Sequence, residues 1–465
     1  MTAALCSAVL PVNLLADLGY PVLSMETLII VTGLGITGAL IGAMLASSFL
    51  YAYFLSLVVY FYLEIYFLSW TATQIVISFV ILLALTLLLR LTDTKLLPYI
   101  LAFAVAFSLS AVLKPDIPVI VGSGPDPQLP TSQDQSILHI VMDEMASPYQ
   151  SEYPPAAGHP AEGLLDYLVE QGFHVDANAY SVAAETVRSL SAIVALNPEN
   201  TGYQAFHPGA VIANSVAENL YAKSLLEAGY EVFILQSSYL DYCQELESVH
   251  CLTYSRTGHI NEISSAGLGE RIKLAYLLVH EAMTSSTRSG VLLYALGVSL
   301  TGSSNPVLDF SVPLISHDLM QGEVLEQVSS IKPGEAYFVH LLLPHFPYVF
   351  GPDCEHLPIA KWGYPVRHAP AVSPIESYKS YWDQVACAEK LLSRIINATA
   401  GIEYLTTIIH GDHGARIMWQ TENDSRDDDL KTLIAVRSSH VDPGLSSKPV
   451  ILQNSVISYL KQLIE

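Results

Sequence analysis

The chain has 465 residues, 51% of them apolar and only 14% charged, and a formal net charge of −23. That length leaves room for about three domains and a full core, while the acidic balance excludes nucleic acid or another polyanion as a broad electrostatic partner. The shortage of charge is concentrated at the N-terminus, which is a membrane signal.

Residues 27–113 are apolar almost without interruption, broken by Glu64, by a polar patch at 70–74 and by a loop carrying Arg90 and Lys95. At about 20 residues per crossing, this stretch predicts transmembrane helices over 27–48, 50–69, 73–91 and 97–113. Residues 1–15 are apolar but short, contain Pro11 and lack the basic start of a cleavable leader; they read as one further crossing or a re-entrant piece. Before Lys114 the only basic residues are Arg90 and Lys95, so the positive-inside rule puts their loop in the cytoplasm and everything after Lys114 outside the cytoplasmic membrane. Glu64, close to the outer end of its helix, reads as an interfacial carboxylate in preference to a functional one.

Cysteine usage agrees with an oxidising compartment. Of five cysteines, Cys6 lies in the apolar N-terminal segment and Cys243, Cys251, Cys354 and Cys387 in the exported part. The pairing Cys243–Cys251 closes a short loop after a strand-like run, and Cys354–Cys387 ties a long loop to a helix; the alternative is four free thiols.

Residues 114–135, rich in Pro, Gly, Ser and Asp, form a linker between a membrane domain at 1–113 and an exported catalytic domain at 136–465. In that domain strands are expected over 137–142, 231–235, 336–343, 405–410 and 432–437. Helices are expected over 161–171, 186–196, 215–228, 375–397 and 450–463. The alternation predicts an α/β fold with a mostly parallel sheet covered by helices on both faces, where ligands bind beyond the carboxyl ends of the strands.

Chemistry-bearing residues fall at those ends. The run IIHGDHGAR brings Asp412 and His413 to a tight loop between Gly411 and Gly414, an oxygen and nitrogen pair suited to a divalent cation. Asp143 and Glu144 directly follow the buried-looking strand ILHIVM, where two carboxylates need a cation or a strong hydrogen-bond network; the plain alternative is a capped turn. Thr186 begins a helix beside Arg188 and Ser189, either as a simple N-cap or as a nucleophile favoured by the helix dipole. His345 sits in PHFPY after a further strand.

The order IVMDE, TVRS, HFP and GDHG resembles the alkaline phosphatase and sulfatase superfamily, and within it the membrane-anchored branch of phosphoethanolamine transferases and lipoteichoic acid synthases. The resemblance covers about 330 residues; it implies an alkaline phosphatase-like α/β fold. Carried over, it implies that Asp143, Asp412 and His413 are metal ligands, that Thr186 is both nucleophile and ligand, and that His345 contacts the transferred group. Glu144 matches a second acidic ligand used by sulfatases. Arg188 and Arg416 are candidates for binding substrate oxygens. A sulfatase proper needs Cys or Ser in a Cys/Ser-x-Pro-x-Arg context, and TVRSL excludes that modification here.

What the resemblance implies is a double displacement on phosphorus, supported by zinc or manganese, with a membrane phospholipid as donor and a lipid or glycan as acceptor. The other readings are a membrane-anchored phosphodiesterase or sulfatase-like hydrolase on the same site and, from a different class, a metal-free binding or scaffold relative.

Overall fold

The computed structural model describes residues 24–45, 134–149, 163–205, 214–254 and 311–464, apart from a few positions within them, together with short stretches between. The expected crossings at 50–69, 73–91 and 97–113, the segment 1–15, and Glu64, Arg90 and Lys95 lie outside the described residues. The chain divides into two units, residues 1–118 with 257–303, and residues 119–256 with 304–465. The sequence reading did not separate 257–303 from the exported domain.

In the first unit, helix α1 (Met25–Leu45) coincides with the first expected crossing and carries one acidic residue, Glu26. The Glu26 carboxylate meets Arg271 Nε at 3.3 Å, so residues of both stretches of this unit are in contact. Among the described residues, no helix is long and apolar enough to cross a membrane.

The second unit is built on a ten-stranded sheet. Its strands are β1 (Ile120–Val121), β2 (Ser136–Met142), β3 (His174–Tyr180), β6 (Glu231–Ser237), β8 (Val249–Tyr254), β9 (Glu335–Leu341), β10 (Leu405–Gly411), β11 (Lys431–Arg437), β12 (Gly444–Ser446) and β13 (Val450–Ile451). The order is β1-β8-β6-β9-β2-β10-β11-β3-β12, with β13 also paired to β3. From β8 to β10 all neighbours are parallel; β11 then runs antiparallel to both β10 and β3. A smaller sheet joins β4 (Tyr203–Ala205), β5 (Asn214–Val216) and β7 (Leu240–Asp241).

Every residue of β2, β9 and β10 is buried, the pattern of central strands covered on both faces. Helices α3 (Thr186–Val194), α4 (Leu220–Glu227) and α9 (Leu452–Ile464) share one core with Ile137, Val141, Phe338 and Ile408. The alternate residues Leu138, Ile140 and Met142 face the other way and are equally buried. A second group of helices packs together as α5 (Ser311–Gln321), α6 (Glu323–Ser329) and α7 (Pro374–Thr399). The remaining helices are α2 (Gly163–Glu170) and the short α8 (Arg426–Leu430).

The 26-residue α7 starts where its chemistry dictates: Ser373 and Glu376 form a capping box and Pro374 occupies the first turn. The helix expected over 215–228 is shorter. Residues 214–216 pair as β5, and Asn219 caps α4 by accepting from Ala222 N at 2.9 Å. Likewise, the helix expected from 450 begins at Leu452, because Val450 and Ile451 are taken up by pairing with β3. Both disulfides pair as expected, Cys243–Cys251 and Cys354–Cys387.

Candidate active site

The neighbours β9, β2 and β10 end at one edge of the sheet. Gly411 is in register with Met142, and Met142 with Leu341, so Asp143 and Asp412 leave adjacent strands at the same level. Thr186 arrives as the first residue of α3.

These residues converge. Thr186 Oγ1 lies 3.3 and 3.5 Å from the two Asp143 carboxylate oxygens and 3.1 Å from His413 Nε2. His413 Nε2 is in turn 3.0 Å from Asp412 Oδ2 and 3.8 Å from Asp143 Oδ1. All four side chains are buried. The second imidazole nitrogen, Nδ1, donates to Gly414 O at 2.9 Å, which leaves Nε2 facing the carboxylates and able to hold either a proton or a metal.

The donor set fits a divalent cation. Ligand atoms of Asp143, Asp412 and His413 lie within 4.8 Å of one another, and among the described residues Asp412 Oδ2 has no close polar neighbour besides His413 Nε2. Two carboxylates in a water-excluded pocket are costly without a positive partner. Burial works against ionisation of Asp412, but the His413 imidazole and the Glu144 backbone N–H at 2.9 Å hold it well below the usual carboxylate range.

Local packing fixes the loop. A Cβ on Gly411 would stand 2.4 Å from Met145 O, and one on Gly414 would stand 2.2 Å from Asp428 O, so both positions require close backbone approach. Ser189 donates to Asp412 O at 2.6 Å across the elements. Gln384 on α7 ties down the His345 turn, donating to Pro344 O and His345 O at 3.0 and 2.9 Å and accepting from Val349 N at 2.8 Å.

Glu144 is not brought into the metal group. Its φ of 62° turns the side chain elsewhere, and its carboxylate accepts from Arg416 Nε at 3.0 Å and from Phe346 N at 3.3 Å. Burial raises its pKa, but His345 and Arg416 outweigh that and keep it lowered. Arg416, also at positive φ, is consumed by this pair and by Ala184 O at 2.9 Å, and Glu144 holds it charged against its burial. Arg188 is not brought to the centre either: its guanidinium meets Glu185 at 2.5 Å, and both side chains are exposed. His345 stands at the rim with Nε2 3.8 Å from Glu144 Oε1.

Two residues at the centre were missed from sequence. His340 is buried, with Nε2 3.6 Å from Asp143 Oδ2 and no hydrogen-bond partner of its own. Its Nδ1 lies 3.0 Å from the Tyr242 hydroxyl. That phenol stays protonated, since burial and then the nearby carboxylates push it well above its usual range. A buried hydroxyl needs an acceptor, and here it is His340 Nδ1; the His340 proton therefore sits on Nε2, facing Asp143. The visible signal was a histidine inside an apolar strand, VHLLLPH, which alone reads as a core residue.

No family model matches the sequence, and no curated protein matches it. Among solved structures, the chain is similar to the C-terminal periplasmic domain of phosphoethanolamine transferase EptC from Campylobacter jejuni, at 11% identity over 72% of this chain and 90% of that one, TM-score 0.40. It is also similar to the phosphonate monoester hydrolase of Agrobacterium radiobacter, at 13% identity over 71% and 73%, TM-score 0.41. A third match is a 2-O glycosaminoglycan sulfatase, at 12% identity over 71% of each chain, TM-score 0.42. At such identities and scores these likenesses carry no functional weight; the donor set does.

Proposed function

We propose that this chain is a membrane-anchored, metal-dependent transferase that moves a phospho-head group of the phosphoethanolamine or phosphoglycerol type from a lipid donor to an envelope glycan or lipid acceptor. The observation that carries this reading is Thr186, a buried hydroxyl at a helix N-terminus, 3.1 Å from His413 Nε2 and 3.3 Å from Asp143 Oδ1. Hydroxyls that only cap a helix bond to its own backbone N–H groups, and this one faces ligands. The apolar run over residues 27–113 supports anchoring, and the lone basic loop at Arg90 and Lys95 supports a catalytic domain on the extracytoplasmic side.

Asp143, Asp412, His413 and Thr186 would hold the cation, and the mixed oxygen and nitrogen set suits zinc or manganese. A cation held there would supply Lewis acidity and would favour ionisation of the Thr186 hydroxyl. Thr186 gives up its proton within the reach of Asp143 and His413, its Oγ1 forms the bond to phosphorus, and the donor's alkoxide leaves as a lipid alcohol. The α3 dipole favours negative charge on Oγ1. His345, at the rim with Nε2 3.8 Å from Glu144 Oε1, would contact the transferred group, and the proton taken from Thr186 would return to the departing alkoxide. An acceptor hydroxyl then attacks the phosphothreonine, and Thr186 is regenerated.

The test is incubation of the full-length protein with labelled phospholipid and mass analysis of the trapped protein. A head-group adduct on the peptide containing Thr186 is expected in the wild type, and none in Thr186→Ala. An adduct that persists in Thr186→Ala, or that maps to Ser189, refutes the assignment. Release of free head group with no acceptor-linked product would select the membrane-anchored hydrolase.

A further inference from the structure

Two basic side chains beside this centre are used by nothing described so far. Arg367 and His368 lie on a turn that follows the His345 loop, and both are half-buried. The Arg367 guanidinium stands over the Trp419 ring at 4.4 Å and over Phe346 at 5.5 Å. The His368 ring packs on Phe346 at 4.8 Å, and Phe346 stacks on His345 at 4.3 Å. Trp419 also carries the Arg416 guanidinium at 5.2 Å. The pair is thus joined to the reaction centre through aromatic contacts on two sides.

Their commitments differ from those of Arg416. Arg416 is occupied by Glu144 and Ala184 O, whereas Arg367 forms no ion pair among the described residues, and its Nε is buried without a hydrogen-bond partner. His368 Nε2 is buried without a partner as well. Burial, and then Arg416, pushes Arg367 down to about 10; burial, and then Arg367, pushes His368 down to about 4. Two carboxylates act on Arg367: Glu144, which Arg416 already engages, and, more weakly, Asp429. A guanidinium that contacts two aromatic rings, with an Nε–H that meets no acceptor among the described residues, beside a neutral imidazole whose Nε2 is free to carry the ring's proton, forms a preorganised receptor for an anion.

We propose that Arg367 and His368 form a second anion subsite, which binds a phosphate or carboxylate of the substrate other than the phosphoryl group being transferred. The proposal rests on the phosphoryl-transfer reading of the Thr186 site. The second anion belongs either to the donor or to the acceptor, and the arms of the experiment separate these.

Full-length protein is assayed with two 4-nitrophenyl phosphodiesters, one with an uncharged second ester arm and one whose second arm ends in a carboxylate. Loss of a charge-assisted bond corresponds to about 10-fold to 100-fold in kcat/KM. In Arg367→Gln and His368→Gln, kcat/KM should fall at least tenfold further for the anionic diester than for the uncharged one, chiefly through KM. For the acceptor arm, the ratio of transfer to glycerol 3-phosphate over transfer to glycerol is measured, and a fall confined to this ratio assigns the anion to the acceptor. Arg367→Lys, which keeps the charge, should recover part of the loss if the protein folds as the wild type by circular dichroism. Equal losses on both diesters, with no change in the acceptor ratio, would overturn the subsite. If the wild type turns over neither diester, the phosphoryl-transfer reading fails by itself. The subsite then stands or falls on titration with inorganic phosphate, whose affinity should weaken about tenfold in Arg367→Gln.

Discussion

At the scale of single residues, the centre separates two adjacent carboxylates into unlike tasks. Asp143 points at Thr186 and His413, whereas Glu144, one position on, pairs with Arg416. In Glu144→Gln, Arg416 is left as a buried charge without its counterion, at a cost of about 3 kcal/mol. A lowered unfolding midpoint with bound metal unchanged is therefore expected, measured by thermal unfolding and elemental analysis. Loss of metal with no loss of stability would place Glu144 among the ligands after all. Tyr242→Phe makes the complementary case: it frees the His340 tautomer without touching a ligand atom, and metal affinity should weaken about tenfold while the fold persists. An unchanged metal titration would remove the Tyr242–His340–Asp143 relation. Asp143, Thr186, Asp412 and His413 were legible because strand ends and helix starts are marked in the sequence by apolar runs that stop at polar residues. The destination of Glu144 was not legible, because its partner lies 272 positions away.

At the scale of elements, β2 and β10 carry a buried histidine pair beneath the site. His139 and His410 meet Nε2 to Nε2 at 2.8 Å. His410 Nδ1 donates to Gly411 O at 2.8 Å, so its Nε2 is the acceptor and His139 the donor. Both are neutral: burial pushes His410 down to about 4, and burial, then His410, lowers His139. The unfolded chain binds these protons near pH 6.5, whereas the folded chain binds that of His410 only near pH 4 and holds that of His139 well below its usual range, so stability is complete above the unfolded value and declines as pH falls below it. For His410 alone the decline between pH 7 and pH 5 is about 2 kcal/mol. Denaturant unfolding in the presence of chelator should show it, and His410→Gln should flatten it. An equal acid dependence in that variant would assign the effect to other groups. The start of α7 was legible because Ser373 and Glu376 mark it, whereas α4 starts later than read, at the Asn219 cap, because residues 214–216 are taken up by β5. Strands β3 and β8 escaped sequence reading because, partly buried, they lack the long apolar run of β2 and β10.

At the scale of the whole molecule, the apolar N-terminal segment and the unit that carries Thr186 are separate questions. The charge of Arg90 and Lys95 predicts that a reporter active only outside the cytoplasm works when fused after Pro130 and is silent at Thr94. The reverse pattern would sink the orientation and leave the two disulfides without their oxidising compartment.

Alternation of apolar runs with amphipathic stretches determined, without any coordinates, an α/β sheet with Asp143 and Asp412 at strand ends, because those periods are local properties of the chain. Loop lengths favoured the disulfide pairing that forms, and the resemblance of the motifs, not their spacing, implied that Asp143 and His413 meet at Thr186. Only the tertiary structure decided which carboxylate faces Thr186 and which faces Arg416, that Arg188 pairs with Glu185, and that His340, Arg367 and His368 border the site. Each of these depends on a side-chain direction or on a contact between loops distant in sequence, and neither is written in the spacing of residues along the chain.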